Sequence, residues 1–328
     1  MTVQKRSTKK VIMGIDIGGT KIQQALFTEN AKRIDTLVFP TQVRQGSERA
    51  INKIIENISF LLGKYRVKPI NIASINVGAP GPVNYRTGVI LQPPNLPTWR
   101  NVPLKKILEE KFNCKVNLDN DANVAALGEL YFGAGKNCHS LVYITISTGV
   151  GGGIIINRKL HRGWNNIAGE VGHFTIDPGG PRCSCGQIGC LETFISGPNL
   201  VKSLKEKLKY NQDEVFEKVV SKKSEDFSAK DILDAAHRGS KLANEALEVA
   251  VKYLALGISI INYIVNPEKF ILGGGVIQSE KAEELVIQPT VERLKEICHF
   301  KTFSTPIVKA RLGTDSVIWG TRVLNKQQ

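Results

Sequence analysis

Between His173 and Glu192 the chain reads HFTIDPGGPRCSCGQIGCLE, with three cysteines in C-x-C-x₄-C spacing beginning ten residues after the histidine. Thiolates and imidazole are zinc ligands. His173, Cys183, Cys185 and Cys190 make up a complete tetrahedral shell with no open position, the mark of a structural ion. Six cysteines in 328 residues are too sparse for a secreted disulfide scaffold. Nucleic-acid fingers supply paired knuckles and a basic helix, whereas Ser, Gly, Gln and Ile lie between these cysteines. The other three, Cys114, Cys138 and Cys298, stand alone and read as buried small hydrophobes.

Three glycine turns offer a second chemistry. VIMGIDIGGTKIQQALF, Val11 to Phe27, is an apolar run broken at Gly18, Gly19 and Thr20 and then resumed. LVYITISTGVGGGIIIN, Leu141 to Asn157, repeats the pattern about 130 residues later. KFILGGGV closes a third strand at Gly273 to Gly275. Without Cβ atoms, backbone N–H groups can approach phosphate oxygens closely. No Walker loop is present, and the first turn leads into a strand, which excludes a Rossmann fingerprint. Asp16, Gly18, Gly19, Thr20 and Lys21 instead place a carboxylate, amides, a hydroxyl and an ammonium together, a set suited to a Mg²⁺-bound polyphosphate. Thr148, Gly149, Gly151, Gly274 and Gly275 would extend the cradle. One such turn by itself could equally be an ordinary hairpin; three together favour phosphate.

A third candidate is LDNDANVAALGE, where a strand gives way to a helix beginning at Asp121. On physical grounds alone Asp121 could cap that helix and Asn120 serve the turn. Asp119, two residues earlier, is given no role.

The elements that must position these groups alternate. Strands at Arg33–Pro40 and NIASINVGAP flank a helix from Ser47 to Tyr65; a Pro-rich loop, LQPPNLPTWRNVP, precedes a short helix from Leu104. After the cysteines the chain turns helical, with SAKD at Ser228–Asp231 spaced as a capping box. The pattern is α/β in two halves, a glycine turn from each facing a shared cleft, with a hinge near Asp119–Ala122. Hydrophobic content of 42% and charged content of 23% fit a soluble globular chain. The longest apolar run, Tyr253 to Val265, is too short to cross a bilayer. The N-terminus lacks a leader pattern, so a cytoplasmic protein without membrane contact is expected. The net charge of +14 is scattered among acidic residues, a solvated surface and no nucleic-acid partner.

DIGGTK, GAPGPV, LDNDANVAALGE, STGVGGGI, GEVGH, CSCGQIGCLE and LGGGV occur in this order between about residues 11 and 320. The ordered set resembles the ROK family of sugar kinases and sugar-responsive repressors, its bacterial and archaeal glucokinases above all. Ser147 stands where many members have glycine. The resemblance implies an actin-like, hexokinase-type ATPase fold of two domains with a cleft between them. The expected division is a small domain over 1–120, completed by 312–328, and a large one over 121–311 carrying the zinc segment. It implies ATP-dependent phosphorylation of a hexose at the 6-hydroxyl, most readily glucose in glycolysis, with ATP, Mg²⁺ and structural Zn²⁺. Asp121 would be the general base, and Asn95, Asn120, Asp121, Glu170, His173 and Glu192 would hold the sugar. Fructose, mannose, N-acetylmannosamine and N-acetylglucosamine remain alternative acceptors, and a sugar-binding regulator remains a less favoured class. Repressors of the family carry an N-terminal DNA-reading domain, for which MTVQKRSTKK is too short. Family habit implies a homodimer or homotetramer.

Overall fold

The near-continuous apolar runs become buried strands, as expected where both faces of a sheet are covered. The computed structural model describes residues 10–220, 226–298 and 304–327, and the chain divides into two compact units. In the first, β1 (Val11–Ile17), β2 (Lys21–Thr28), β3 (Arg33–Pro40), β4 (Ile72–Ala79) and β7 (Val116–Asn120) form one sheet in the order β3-β2-β1-β4-β7. The minor pair β5 (Val83–Asn84) and β6 (Val89–Ile90) stands apart from it. Helix α1 (Ser47–Lys64) buries Ala50, Ile51, Ile54, Ile58, Leu61 and Leu62, one stripe at helical spacing. Helices α2 (Leu104–Phe112) and α3 (Asp121–Phe132) flank β7 in sequence.

In the second unit β8 (Leu141–Ile146), β9 (Val150–Ile156), β10 (Lys159–His161), β11 (Phe270–Gly273) and β12 (Ile307–Lys309) take the order β10-β9-β8-β11-β12. Pairing is antiparallel through β8–β9–β10 and parallel through β8–β11–β12. The first sheet follows the same rule, with β1–β2–β3 antiparallel and β1–β4–β7 parallel. The repeated strand–glycine turn–strand motif is therefore a repeat of topology. Helices α4 (Glu192–Ile195), α5 (Gly197–Leu208), α6 (Glu214–Val220), α7 (Ala229–His237), α8 (Lys241–Val265) and α9 (Gln288–Ile297) complete this unit. The capping box forms: Ser228 N–H donates to Asp231 at 2.8 Å, and Asp231 N–H donates to Ser228 Oγ at 3.4 Å. Helix α8 contains the apolar run and, among the described residues, is long and apolar enough to span a membrane. Leu247, Leu254 and Ile258 on its buried face pack in the second core.

The last helix, α10 (Ser316–Leu324), belongs to the first unit, which takes in the chain as far as Phe132 and again from Asp315. The expected boundary at Asp121 thus falls inside a compact unit. The reason is α3, which is buried from Ala122 to Leu130 and lies against α10. A Cβ on Gly128 would overlap Ser316 O, and one on Gly320 would overlap Val124 O, so the two backbones touch. Buried polar groups extend the contact. Ser316 Oγ donates to Glu129 at 2.8 Å, and Asn76 Nδ2 donates to Thr321 O at 2.6 Å.

Because the atoms facing these glycines are backbone, they cannot swing aside. Gly320→Ala is expected to cost at least about 2 kcal/mol of stability, read from the urea midpoint. An unchanged midpoint would mean that the helices separate freely.

Candidate active site

In the first unit the β1–β2 turn is tied from within and from outside. Gly18 N–H donates to Lys21 O at 3.0 Å. Thr41 holds the turn from the end of β3, its hydroxyl donating to Gly18 O at 2.6 Å and its amide to Thr20 O at 3.0 Å. Thr20 and Lys21 are exposed, and Asp16 is half-buried at the end of β1. Asn95 packs on Gly19, where a Cβ would come within 3.3 Å of its own Cβ. Its loop is fixed by Leu96 and Trp99, both fully buried.

At the strand-to-helix junction two side chains share the Ala122 amide. Asn120 caps α3: its Oδ1 accepts from Ala122 N–H at 2.8 Å and from Asn123 N–H at 3.4 Å. Asp121 occupies the first helical position, with Oδ1 accepting from Ala122 N–H at 2.7 Å. Asp119 is buried and accepts from Asn123 Nδ2 at 3.0 Å, a structural duty.

Burial pushes the Asp16 carboxyl up to about 7; Asp121 adds to the shift, Lys21 opposes it, and Asp315 adds a little more. Asp16, Lys21 and Asp121 are thus electrostatic neighbours, a grouping of acids around one ammonium that would welcome a divalent cation.

In the second unit the turn between β8 and β9 is closed by Ser147 N–H donating to Gly149 O at 2.9 Å. Glu192, at the start of α4, accepts from Val150 N–H at 2.8 Å through Oε2. A Cβ on Gly149 would come within 2.7 Å of that same oxygen. The third turn stacks on the second. Gly274, at φ +88°, lies where a Cβ would overlap Ile146, while Gly275 faces Ser147 Oγ. Thr148, Gly149, Gly151, Gly274 and Gly275 are therefore brought to one end of the second sheet, and the serine at 147 is accommodated there.

The four metal-ligand candidates converge, their donor atoms all within 4.8 Å of one another. Cys183 Sγ lies 3.7 Å from His173 Nδ1, and Cys185 Sγ lies 3.6 Å from Cys190 Sγ. A tetrahedral zinc shell has donor–donor edges of about 3.5–3.8 Å, so the set fits such an ion. Burial and the neighbouring thiols push the Cys190 thiol up to about 12, so a thiolate there calls for a cation. With Nδ1 turned to the sulfurs, the His173 ring leaves Nε2 for another partner. Glu170 lies nearby. Desolvation raises its carboxyl above the usual range, His173 pulls it down and Glu192 pushes it up.

Two antiparallel-then-parallel sheets of matching order, each with a glycine turn between its first two strands, define the actin-like, hexokinase-type ATPase fold. The chain belongs to the ROK family, whose model matches residues 12–328. It is 34% identical over 324 residues to a glucokinase of Halalkalibacterium halodurans, covering 96% of this chain and 95% of that protein. It is also 35% identical over 283 residues to a xylose repressor of Caldicellulosiruptor bescii, covering 84% of this chain and 70% of the repressor. A ROK family glucokinase from Streptomyces griseus, solved with glucose and AMPPNP, superposes with a TM-score of 0.81 at 30% identity, covering 97% of this chain and all of that one.

Two residues escaped the sequence reading. Thr41 carries no local signal, since its partners lie across the turn. Asp315 precedes α10 as a capping residue would, but its carboxylate accepts from Gln23 Nε2 at 3.0 Å and pairs with Arg33 at 2.6 Å. Burial opposes ionisation of Asp315, and the bonds from Arg33 and Gln23 outweigh it, holding the carboxyl below its ordinary range.

The raised Asp16 carboxyl sets a pH dependence. An unfolded chain releases this proton near pH 4 and the folded chain near pH 7, so Asp16 costs stability progressively between the two and fully above them. Asp16→Asn is expected to melt with the wild type at pH 4 and above it at pH 8. An equal melting difference at both pH values would refute the burial of this charge.

Proposed function

We propose that the protein is an ATP-dependent hexose kinase, with glucose as the acceptor and glucose 6-phosphate as the product. The observation that carries this reading is Asp121, at the first position of α3 and close enough to Asp16 to raise its carboxyl, with Lys21 acting on the same carboxyl. Asp121 takes the proton of the sugar's 6-hydroxyl as that oxygen bonds to the γ-phosphorus and the bond to the leaving ADP oxygen breaks. Asp16 would hold Mg²⁺ or its waters, which would supply charge neutralisation at the phosphates. Amides of Gly18 and Gly19, the Thr20 hydroxyl and Lys21 are the phosphate-binding groups of the first unit. Thr148, Gly149, Gly151, Gly274 and Gly275 are those of the second. Preorganised donors of this kind account for much of phosphoryl-transfer catalysis.

Asn95, Asn120, Asp121, Glu170, His173 and Glu192 are the sugar-binding residues of this reading. Fixed polar groups reject an epimer by leaving a buried partner unsatisfied. His173, Cys183, Cys185 and Cys190 would hold structural zinc, which would fix the His173 ring and the segment leading to Glu192. The reading makes the protein a cytoplasmic enzyme of carbohydrate metabolism, working as a homodimer or homotetramer. A second reading, a sugar-binding regulator, is favoured by the likeness to the xylose repressor.

The decisive test is ADP release with MgATP across glucose, fructose, mannose, N-acetylmannosamine and N-acetylglucosamine. Strongest turnover with glucose is expected. Turnover only with an N-acetylated sugar would replace the acceptor, and sugar binding without turnover would favour the regulator. Asp121→Asn should lower kcat by about 10²–10⁴ while glucose affinity stays within a few fold, measured by calorimetry; near-normal kcat would remove the base assignment. Cys185→Ser should lose bound zinc and sugar affinity together. Normal sugar binding by the metal-free variant would separate the two.

A further inference from the structure

Side-chain and backbone contacts hold Glu192 from several directions. Its carboxylate accepts from the Val150 amide through one oxygen, while the other lies 3.9 Å from Cys183 Sγ. Its backbone is held too: Glu192 N–H donates to Gly172 O at 2.9 Å, and Asn199 Nδ2 donates to Glu192 O at 3.0 Å. The segment around it encloses the second glycine turn. A Cβ on Gly172 would overlap Val150 O, and Gly197 N–H donates to Ser147 O at 2.8 Å.

We infer that Glu192 is a positioning residue for the glycine turn at 147–150, and that it transmits the order of the His173–Cys183–Cys185–Cys190 cluster to that turn. The physical reason lies in the turn itself. A tight turn of small residues has little side-chain packing and loses much conformational entropy on ordering. A side-chain oxygen on a helix anchored elsewhere accepts from one of its amides and offsets part of that cost. Gly149 is required because the carboxylate stands within 2.7 Å of where its Cβ would be. Cys190 lies two residues before Glu192, and Thr193 donates to the Cys190 carbonyl through its N–H at 2.9 Å and its hydroxyl at 2.7 Å, which ties the start of α4 to the sulfur cluster.

The test uses the full metal-loaded chain, with Glu192→Ala, Glu192→Gln and Gly149→Ala. Amide exchange at Val150, followed by NMR, should quicken about tenfold or more in Glu192→Ala. It should stay near wild type in Glu192→Gln, whose amide oxygen accepts the same bond. Gly149→Ala displaces the carboxylate without removing it and should also speed exchange at Val150, which keeps the inference testable if Glu192→Ala fails to fold. Removing the metal with a chelator should loosen Val150 in the wild type but add nothing in Glu192→Ala. Unchanged exchange at Val150 in Glu192→Ala and Gly149→Ala would overturn the positioning role. An unchanged response to chelator in Glu192→Ala would overturn the transmission. AMPPNP affinity, measured by calorimetry, should follow the exchange order; this arm rests on the kinase reading. A wild type that binds no AMPPNP would defeat that reading, while the exchange arms would still decide the role of Glu192.

Discussion

The contact between α3 and α10 is the constraint from which the first unit takes its form. Two glycines, one on each helix, let the backbones meet, and no larger residue fits at either position. The consequence is topological as much as energetic. A helix that follows Asp315 packs beside one that starts at Asp121, and buried bonds from Asn76 and Ser316 join sheet and helices. Packing at that density transmits small displacements, since interiors have few voids to absorb them. The first turn of α3 is therefore placed by the far end of its own helix, and Asp121 with it.

The second unit solves a different problem with different means. Its glycine turn is not buried: Thr148 is exposed, and Ser147 and Gly149 are half-buried. It is instead braced from outside, by a carboxylate at Val150, by the backbone of Gly197 at Ser147 and by the third turn against Ile146. Chain entropy favours a loosened turn, so each external bond offsets part of that cost. The bracing segment is itself irregular over most of residues 174–191, with little apolar surface to bury. A cation held by His173, Cys183, Cys185 and Cys190 would be a compact way to order such a stretch.

Much of this was legible in the residues. Apolar runs broken by Gly18–Gly19 and by Ser147–Gly149 marked two hairpins, and the matching strand orders follow from the same local pattern repeated. The convergence of His173, Cys183, Cys185 and Cys190 could be read from residue chemistry and spacing, because side chains near in sequence need little tertiary help to meet. The ROK resemblance was legible for the same reason, each motif being short and local. The domain boundary was not. It was expected at Asp121, where the chain passes from strand to helix, but nothing near residue 121 reports that α10 lies alongside.

The sequence by itself determined the strands, the glycine turns, the meeting of His173 with three cysteines and the family, because each depends on neighbours a few positions away. Tertiary structure alone decided that Asn120 joins Asp121 in capping α3, that Thr41 secures the first turn and that Asp315 belongs to Gln23 and Arg33. It also decided that Glu192 reaches Val150, 42 positions away along the chain. Hydrogen bonds of that kind are chosen by which groups the packed cores bring within about 3 Å of one another, and chain order carries no record of it.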